Sequence, residues 1–101
     1  MLKITVLYGH PTDTAAFEKY YAQTHFEKVK KVLGIAKQEY TKFFPNPDGK
    51  APTYYRMAEL YFTSPEAMHQ TMQSEEGKVM AADLPNFATG GVTIITGIVE
   101  K

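Results

Sequence analysis

The 101-residue chain has no cysteine and no tryptophan. The missing cysteine excludes disulfides, thiolate nucleophiles and iron–sulfur or zinc–thiolate sites. No apolar run approaches the roughly 18 residues of a membrane-spanning helix, and the N-terminus lacks the charged-then-apolar pattern of a secretory signal. Met1-Leu-Lys-Ile opens straight into a strand pattern, so the chain is expected in the cytoplasm. Net charge is lacking too. Eleven basic and eleven acidic residues cancel, which removes the electrostatic case for nucleic acid or an anionic membrane as partner.

Several site types are missing as well. The three histidines, His10, His25 and His69, lack the HxxxH or HxxE type of spacing, so no metal site is expected. Ser64 and Ser74 have no nucleophile-elbow context. Gly90-Gly91 precedes a strand pattern rather than a helix, so it is no phosphate loop. Nothing in the composition asks for a cofactor.

What the chain does have is aromatic side chains, 13% of residues, with seven Tyr and six Phe. Large rings fill a small core efficiently, and they also line pockets. The length fits one domain spanning residues 1–101.

In order, Leu2–Tyr8 reads as a strand and Gly9–Asp13 as a turn, with Asp13 or Thr14 capping a helix. Residues Phe17–Leu33 are helical, closed by Gly34 in the left-handed conformation. Ile35–Phe44 is a second strand, Pro45–Pro52 a loop and Thr53–Thr63 a third strand. Ser64-Pro65-Glu66 starts a helix that Gly77 breaks or bends, with a further turn over Lys78–Asp83. Leu84–Gly91 is a loop, and Val92–Val99 the last strand. The order β-α-β-β-α-β predicts an α+β, ferredoxin-like fold: an antiparallel sheet with both helices on one face.

The first helix carries an anomaly. At about 100° per residue, Phe17, Tyr21, His25, Val29 and Val32 share one arc of roughly 120°. His25 thus lies inside an apolar stripe, as either a satisfied core group or a functional one. Asp83, Tyr8, Tyr40 and Glu59 are the groups that could orient it or share its pocket, and Asp83 reads more simply as the cap of the Leu84-Pro-Asn turn. The strands are anomalous too. Val92, Ile94 and Ile98 oppose Ile95 and Val99, while Tyr54, Leu60 and Phe62 oppose Tyr55, Met57 and Tyr61. Two apolar faces need two covers, so the sheet is expected to pack against a second copy as a symmetric homodimer.

The residues at these places resemble the EthD family. Val6-Leu-Tyr-Gly9, Phe17-x-x-Tyr-Tyr-x-x-Thr-His25, Gly34-Ile and Ala82-Asp-Leu-Pro-Asn-Phe-Ala-Thr-Gly-Gly91 carry the resemblance across nearly the whole chain. It implies the dimeric α+β barrel class, in which two ferredoxin-like units pack their sheets together. The family takes its name from a protein encoded beside an ether-degrading system. Relatives of the same architecture include cofactor-free monooxygenases, isomerases, polyketide cyclases, decarboxylases and haem-binding proteins. The family's motif histidine falls on His25, and a second-strand tyrosine, here Tyr40, contributes in some relatives.

Two functions follow. The first is a cofactor-independent enzyme acting on a small apolar or aromatic oxygenated metabolite. In it His25 and Tyr40 are catalytic, and Tyr8, Phe17, Tyr21 and Glu59 bind substrate. The second is a binding or accessory protein with the same fold and no chemistry. A ligand-sized cavity beside His25 would favour the first.

Overall fold

Alternation decides the first strand. In β1 (Leu2–Tyr8) the side chains of Ile4, Val6 and Tyr8 are buried beneath helices, and Lys3, Thr5 and Leu7 at the alternate positions project from the other face. The computed structural model describes residues 1–100. Three further strands, β2 (Lys37–Lys42), β3 (Arg56–Phe62) and β4 (Val92–Ile98), complete one sheet in the order β2-β3-β1-β4, every neighbouring pair antiparallel. The helices lie on one face, and the fold is α+β and ferredoxin-like. Among the described residues no helix is long and apolar enough to cross a membrane.

The helix α1 (residues 14–30) starts where Asp13 accepts a hydrogen bond from the Ala16 amide at 3.1 Å. It is not uniform. Thr14–Tyr20 and Phe26–Lys30 are α-helical, but Tyr21–His25 between them is a π turn, in which the Phe26 amide bonds the Tyr21 carbonyl. The wider turn stacks Tyr21 on His25, with ring centroids 5.8 Å apart and planes 8° from parallel. The expected stripe of Phe17, Tyr21, His25, Val29 and Val32 is buried throughout. Helical structure ends at Lys30, short of Leu33, which is exposed, and Gly34 follows at φ 96° as expected of a closing glycine.

Ser64 caps α2 (Pro65–Gln73) and Ser74 caps α3 (Glu75–Ala82). The break thus falls at Ser74, three residues before Gly77, because the Ser74 side chain satisfies the Gly77 amide and starts a new helix. Gly77 serves close approach instead: a Cβ there would lie 2.2 Å from the Thr71 carbonyl oxygen. Leu84–Phe87, expected as loop, forms a one-turn helix, α4.

The two-faced reading of the sheet holds for Met57, Tyr61 and Ile95, which lie on the face opposite Leu60, Phe62 and Ile94, and needs correcting at Tyr55. The third strand begins only at Arg56, so Tyr55 escapes the strand's alternation and packs on Phe17 beneath the helices. The bare face is substantially polar, carrying the Lys3–Glu59 ion pair at 2.6 Å and the Tyr61–Glu39 hydrogen bond at 2.7 Å. The apolar excess sits instead on β4, an edge strand exposed on both faces, where Ile94, Ile95 and Ile98 are 52%, 55% and 72% exposed.

Candidate functional site

The π turn presents His25 to the corner between α3 and α4, where Asp83 ends one helix and begins the next. His25 and Asp83 are 4% and 2% exposed, and Nδ1 of the imidazole lies 2.9 Å from the carboxylate Oδ2. Three more donors converge on Oδ1: the Tyr20 hydroxyl at 2.6 Å, the Asn86 amide at 2.9 Å and the Lys28 ammonium at 3.4 Å. Burial pushes the Asp83 carboxyl up, but hydrogen bonds from Tyr20, Asn86, His25 and Lys28 outweigh it and hold the group at about 2. Burial lowers the His25 pKa below its ordinary value, with the Asp83 carboxylate opposing that shift. At neutral pH the pair is therefore an ionised carboxylate and a neutral imidazole. An ionised carboxylate only accepts, so Nδ1–H donates to Asp83 and the lone pair resides on Nε2. That is the tautomer of a general base held by a carboxylate.

An aromatic shell surrounds the pair. Phe87 lies 4.7 Å from the imidazole and touches Tyr8, Phe17, Tyr20 and Tyr21 at 5.2 to 5.7 Å between centroids. Tyr8 is edge-on to both Phe17 and Tyr21. Among the described residues the Tyr21 hydroxyl, buried beside the Tyr8 ring, has no hydrogen-bond partner. Its pKa is raised by burial, opposed by the Arg56 guanidinium lying 5.1 Å from its ring centroid. Arg56 is itself neutralised by two bonds to Glu18, at 2.6 and 2.9 Å, which hold that carboxyl at about 2.

Of the residues singled out in the sequence, His25, Tyr8, Phe17 and Tyr21 thus come together in one buried cluster. Tyr40 reaches it only through Tyr21, 6.4 Å away, and its hydroxyl donates to Gln38 at 2.6 Å. Burial pushes the Tyr40 phenol up to about 12. Glu59 does not belong here. Ala58, Leu60 and Phe62 face the helices, so Glu59 between them projects from the opposite face to Lys3. Asp83, read as a turn cap, does receive the local Asn86 bonds, but it is also the direct partner of His25. Its position within the second motif, Ala82–Gly91, was the available signal: the two separated motifs meet in this bond.

The clefts around the pair stop short of His25: one of about 240 Å³ reaches Asp83 between Lys28, Ala82 and Asn86 but not the imidazole. A second, of about 210 Å³, lies outside the shell, floored by Phe17, Tyr20 and Phe87 and rimmed by Thr12, Asp13 and Thr89. A third, also about 210 Å³, is lined by Phe26, Gln38 and Tyr40 on the β2 side. None touches His25, and all three fall below the ~300 Å³ usual for a ligand site. No three His, Asp or Glu side chains gather as a metal site would require among the described residues.

Comparison with known proteins agrees with this architecture. The EthD domain, as a family profile, matches residues 9–91. An uncharacterized 11.0 kDa protein from the thcB-thcC intergenic region of Rhodococcus erythropolis is 38% identical over 95 residues, 94% of this chain and 91% of that protein. An EthD family protein of Bacillus halodurans, known by crystal structure, is 31% identical and superposes with a TM-score of 0.91 over 99% of both chains. SnoaB, a cofactor-independent oxygenase from Streptomyces nogalater, shares the fold at 13% identity, with a TM-score of 0.65 over 99% of this chain and 92% of its own.

Proposed function

This chain belongs to the EthD family, and we propose that it acts on a small, largely apolar oxygenated molecule, without a cofactor, using His25 as the proton-transfer group. The observation that carries this reading is the His25–Asp83 pair: a neutral imidazole of fixed tautomer, buried in an aromatic shell beside an unpaired phenol. Asp83 is a positioning residue, because it orients the ring and would stabilise the imidazolium formed when Nε2 takes a proton. Tyr8 and Tyr21 supply hydroxyls that could donate to an oxygen where negative charge develops. The fold shared with SnoaB is compatible with such chemistry and does not specify it.

The sealed environment of His25 favours a second reading, in which the chain binds a ligand in an outer cleft as an accessory protein and the pair holds α1 to α3. One experiment separates the two. A panel of phenols, quinones and lactones is screened by thermal shift, and products are followed by mass spectrometry. Turnover of a stabilising compound that His25→Asn abolishes, with binding retained, is the expected outcome. Binding without any product, unchanged in His25→Asn, would favour the accessory reading.

We also propose a homodimer. The support is β4, whose apolar residues are exposed on both faces at the sheet edge. Ile95→Glu should shift sedimentation toward a monomer; an unchanged sedimentation coefficient would remove this face from the interface.

A further inference from the structure

Phe87 stands between the catalytic candidates and one of the two clefts nearest them; the other opens on Asp83, between Lys28 and Asn86, where the carboxylate's four donors already fill the way to the imidazole. On the outer side of Phe87 lies the cleft floored by Phe17 and Tyr20; on its inner side lie the imidazole of His25 at 4.7 Å, Tyr21 at 5.6 Å and Tyr8 at 5.7 Å. The ring is held by a one-turn helix and a short return loop. That loop is tied to the N-terminal turn by the Thr12 amide donating to Thr89 Oγ1 at 2.9 Å and by the Gly9 amide donating to the Gly91 carbonyl at 2.9 Å. The approach is close: a Cβ on Gly9 would sit 2.2 Å from the Gly90 carbonyl oxygen. Asp83 and Leu84 anchor the start of this segment and the bonds from Thr12 and Gly9 its end, so the part free to move is the Phe87 side chain rather than the backbone.

We propose that Phe87 is a gate. The cleft beside it is the vestibule of the ligand site, and rotation of the ring joins that cleft to the space at His25, Tyr8 and Tyr21. The inference deepens the enzymatic reading above and rests on it for its ligand. The molecule admitted is flat, aromatic and uncharged, and it carries one hydroxyl or carbonyl oxygen. Flatness follows from the ring walls of Phe17, Tyr20 and Phe87. Neutrality follows from the charges around the site, which are already matched: Arg56 by Glu18, and Asp83 by four donors. The oxygen is the partner that the Tyr21 hydroxyl lacks, and a buried phenol without one is costly enough to call for it.

The alternative route is the cleft on the β2 side, through Phe26 and Tyr40, and the test sets the two against each other. Diethylpyrocarbonate acylates neutral imidazole. Its rate at His25, read by peptide mass spectrometry, measures access, with exposed His10 and His69 as internal references. Phe87→Leu should accelerate His25 modification about ten-fold, since leucine cannot rebuild the ring contacts that hold the gate shut. Phe87→Trp should slow it, and Phe26→Leu should leave it unchanged. Amide exchange in β1 matching the parent protein shows that the fold persists. Acceleration in Phe26→Leu but not in Phe87→Leu would overturn the gate. Saturating 1-naphthol should protect His25 in the parent protein. Failure to protect, with the Phe87→Leu acceleration intact, would overturn the ligand class and leave the gate standing.

Discussion

The two faces of one sheet each hold a paired carboxylate, and the pairs differ in nearly everything that sets their value. On the helix side Asp83 is buried, gathers four donors and faces a desolvated imidazole. On the bare side Glu59 meets Lys3 across neighbouring strands at 2.6 Å, where the Lys3 side chain is still 34% exposed and water reaches the pair. The shorter distance belongs to the weaker interaction. Water screens the second pair and supplies alternative partners, whereas the first has none, so removing either member strands a polar group in the core. Distance ranks contacts poorly; burial and the number of partners rank them better.

The sharpest way to break that contrast is Asp83→Ala. It leaves the His25 Nδ1–H and the Asn86 and Tyr20 donors without their acceptor, and should cost roughly 3–5 kcal/mol of unfolding free energy. Asp83→Asn, which retains one acceptor oxygen, should cost about 1–3 kcal/mol. Urea titration followed by circular dichroism measures both. A loss below 1 kcal/mol for the alanine variant would erase the distinction between the faces.

Sequence carried some of this and not the rest. The place of His25 on the buried stripe was legible because four-residue spacing from Phe17 through Val29 is a local signal. Its partner was obscured because the bond spans 58 positions, while a local explanation for Asp83, the Leu84-Pro-Asn turn, was at hand and also correct. Glu59 was misplaced because alternation put it opposite Leu60 and Phe62 without saying which set the helices cover, and the pairing of Leu60 with Ile4 and Phe62 with Leu2 on the buried side decides that. The π turn has no signature of its own in Tyr21–His25; it exists because stacking and the Asp83 bond reward the wider turn.

Acid should expose the next difference. Burial lowers the folded-state pKa of His25 below its unfolded value of ~6.5, so the unfolded chain binds the proton more readily. Stability is therefore fully present above that value and falls as pH drops toward the folded pKa, by up to about 1.4 kcal/mol per pH unit. His25→Gln should flatten the decline between pH 7 and pH 5. A second decline should follow between pH ~4 and about 2, where Asp83 takes up its proton. Thermal unfolding across pH reads both steps, and a parent protein equally stable at pH 7 and pH 5 would contradict the first.

A smaller effect has the opposite sign. Tyr21→Phe deletes a buried hydroxyl that has no partner, and should stabilise the protein by about 1 kcal/mol while weakening the binding of any oxygenated ligand. Tyr61→Phe on the bare face loses the bond to Glu39 and should not raise the melting temperature. A Tyr21→Phe variant less stable than the parent would show that the hydroxyl already has a partner in solution.

The smallest effect belongs to Lys3 and Glu59. A double-mutant cycle with Lys3→Ala and Glu59→Gln should return a coupling of roughly 0.2–1 kcal/mol in dilute protein, the range of pairs that water still reaches, here through the part-exposed Lys3. This pair also tests what covers the bare face. If a second copy packs there, desolvation removes the screening, and the coupling should grow as protein concentration is raised through the dimer dissociation constant. A coupling that stays small at every concentration would leave the pair in water and confine any contact between copies to β4.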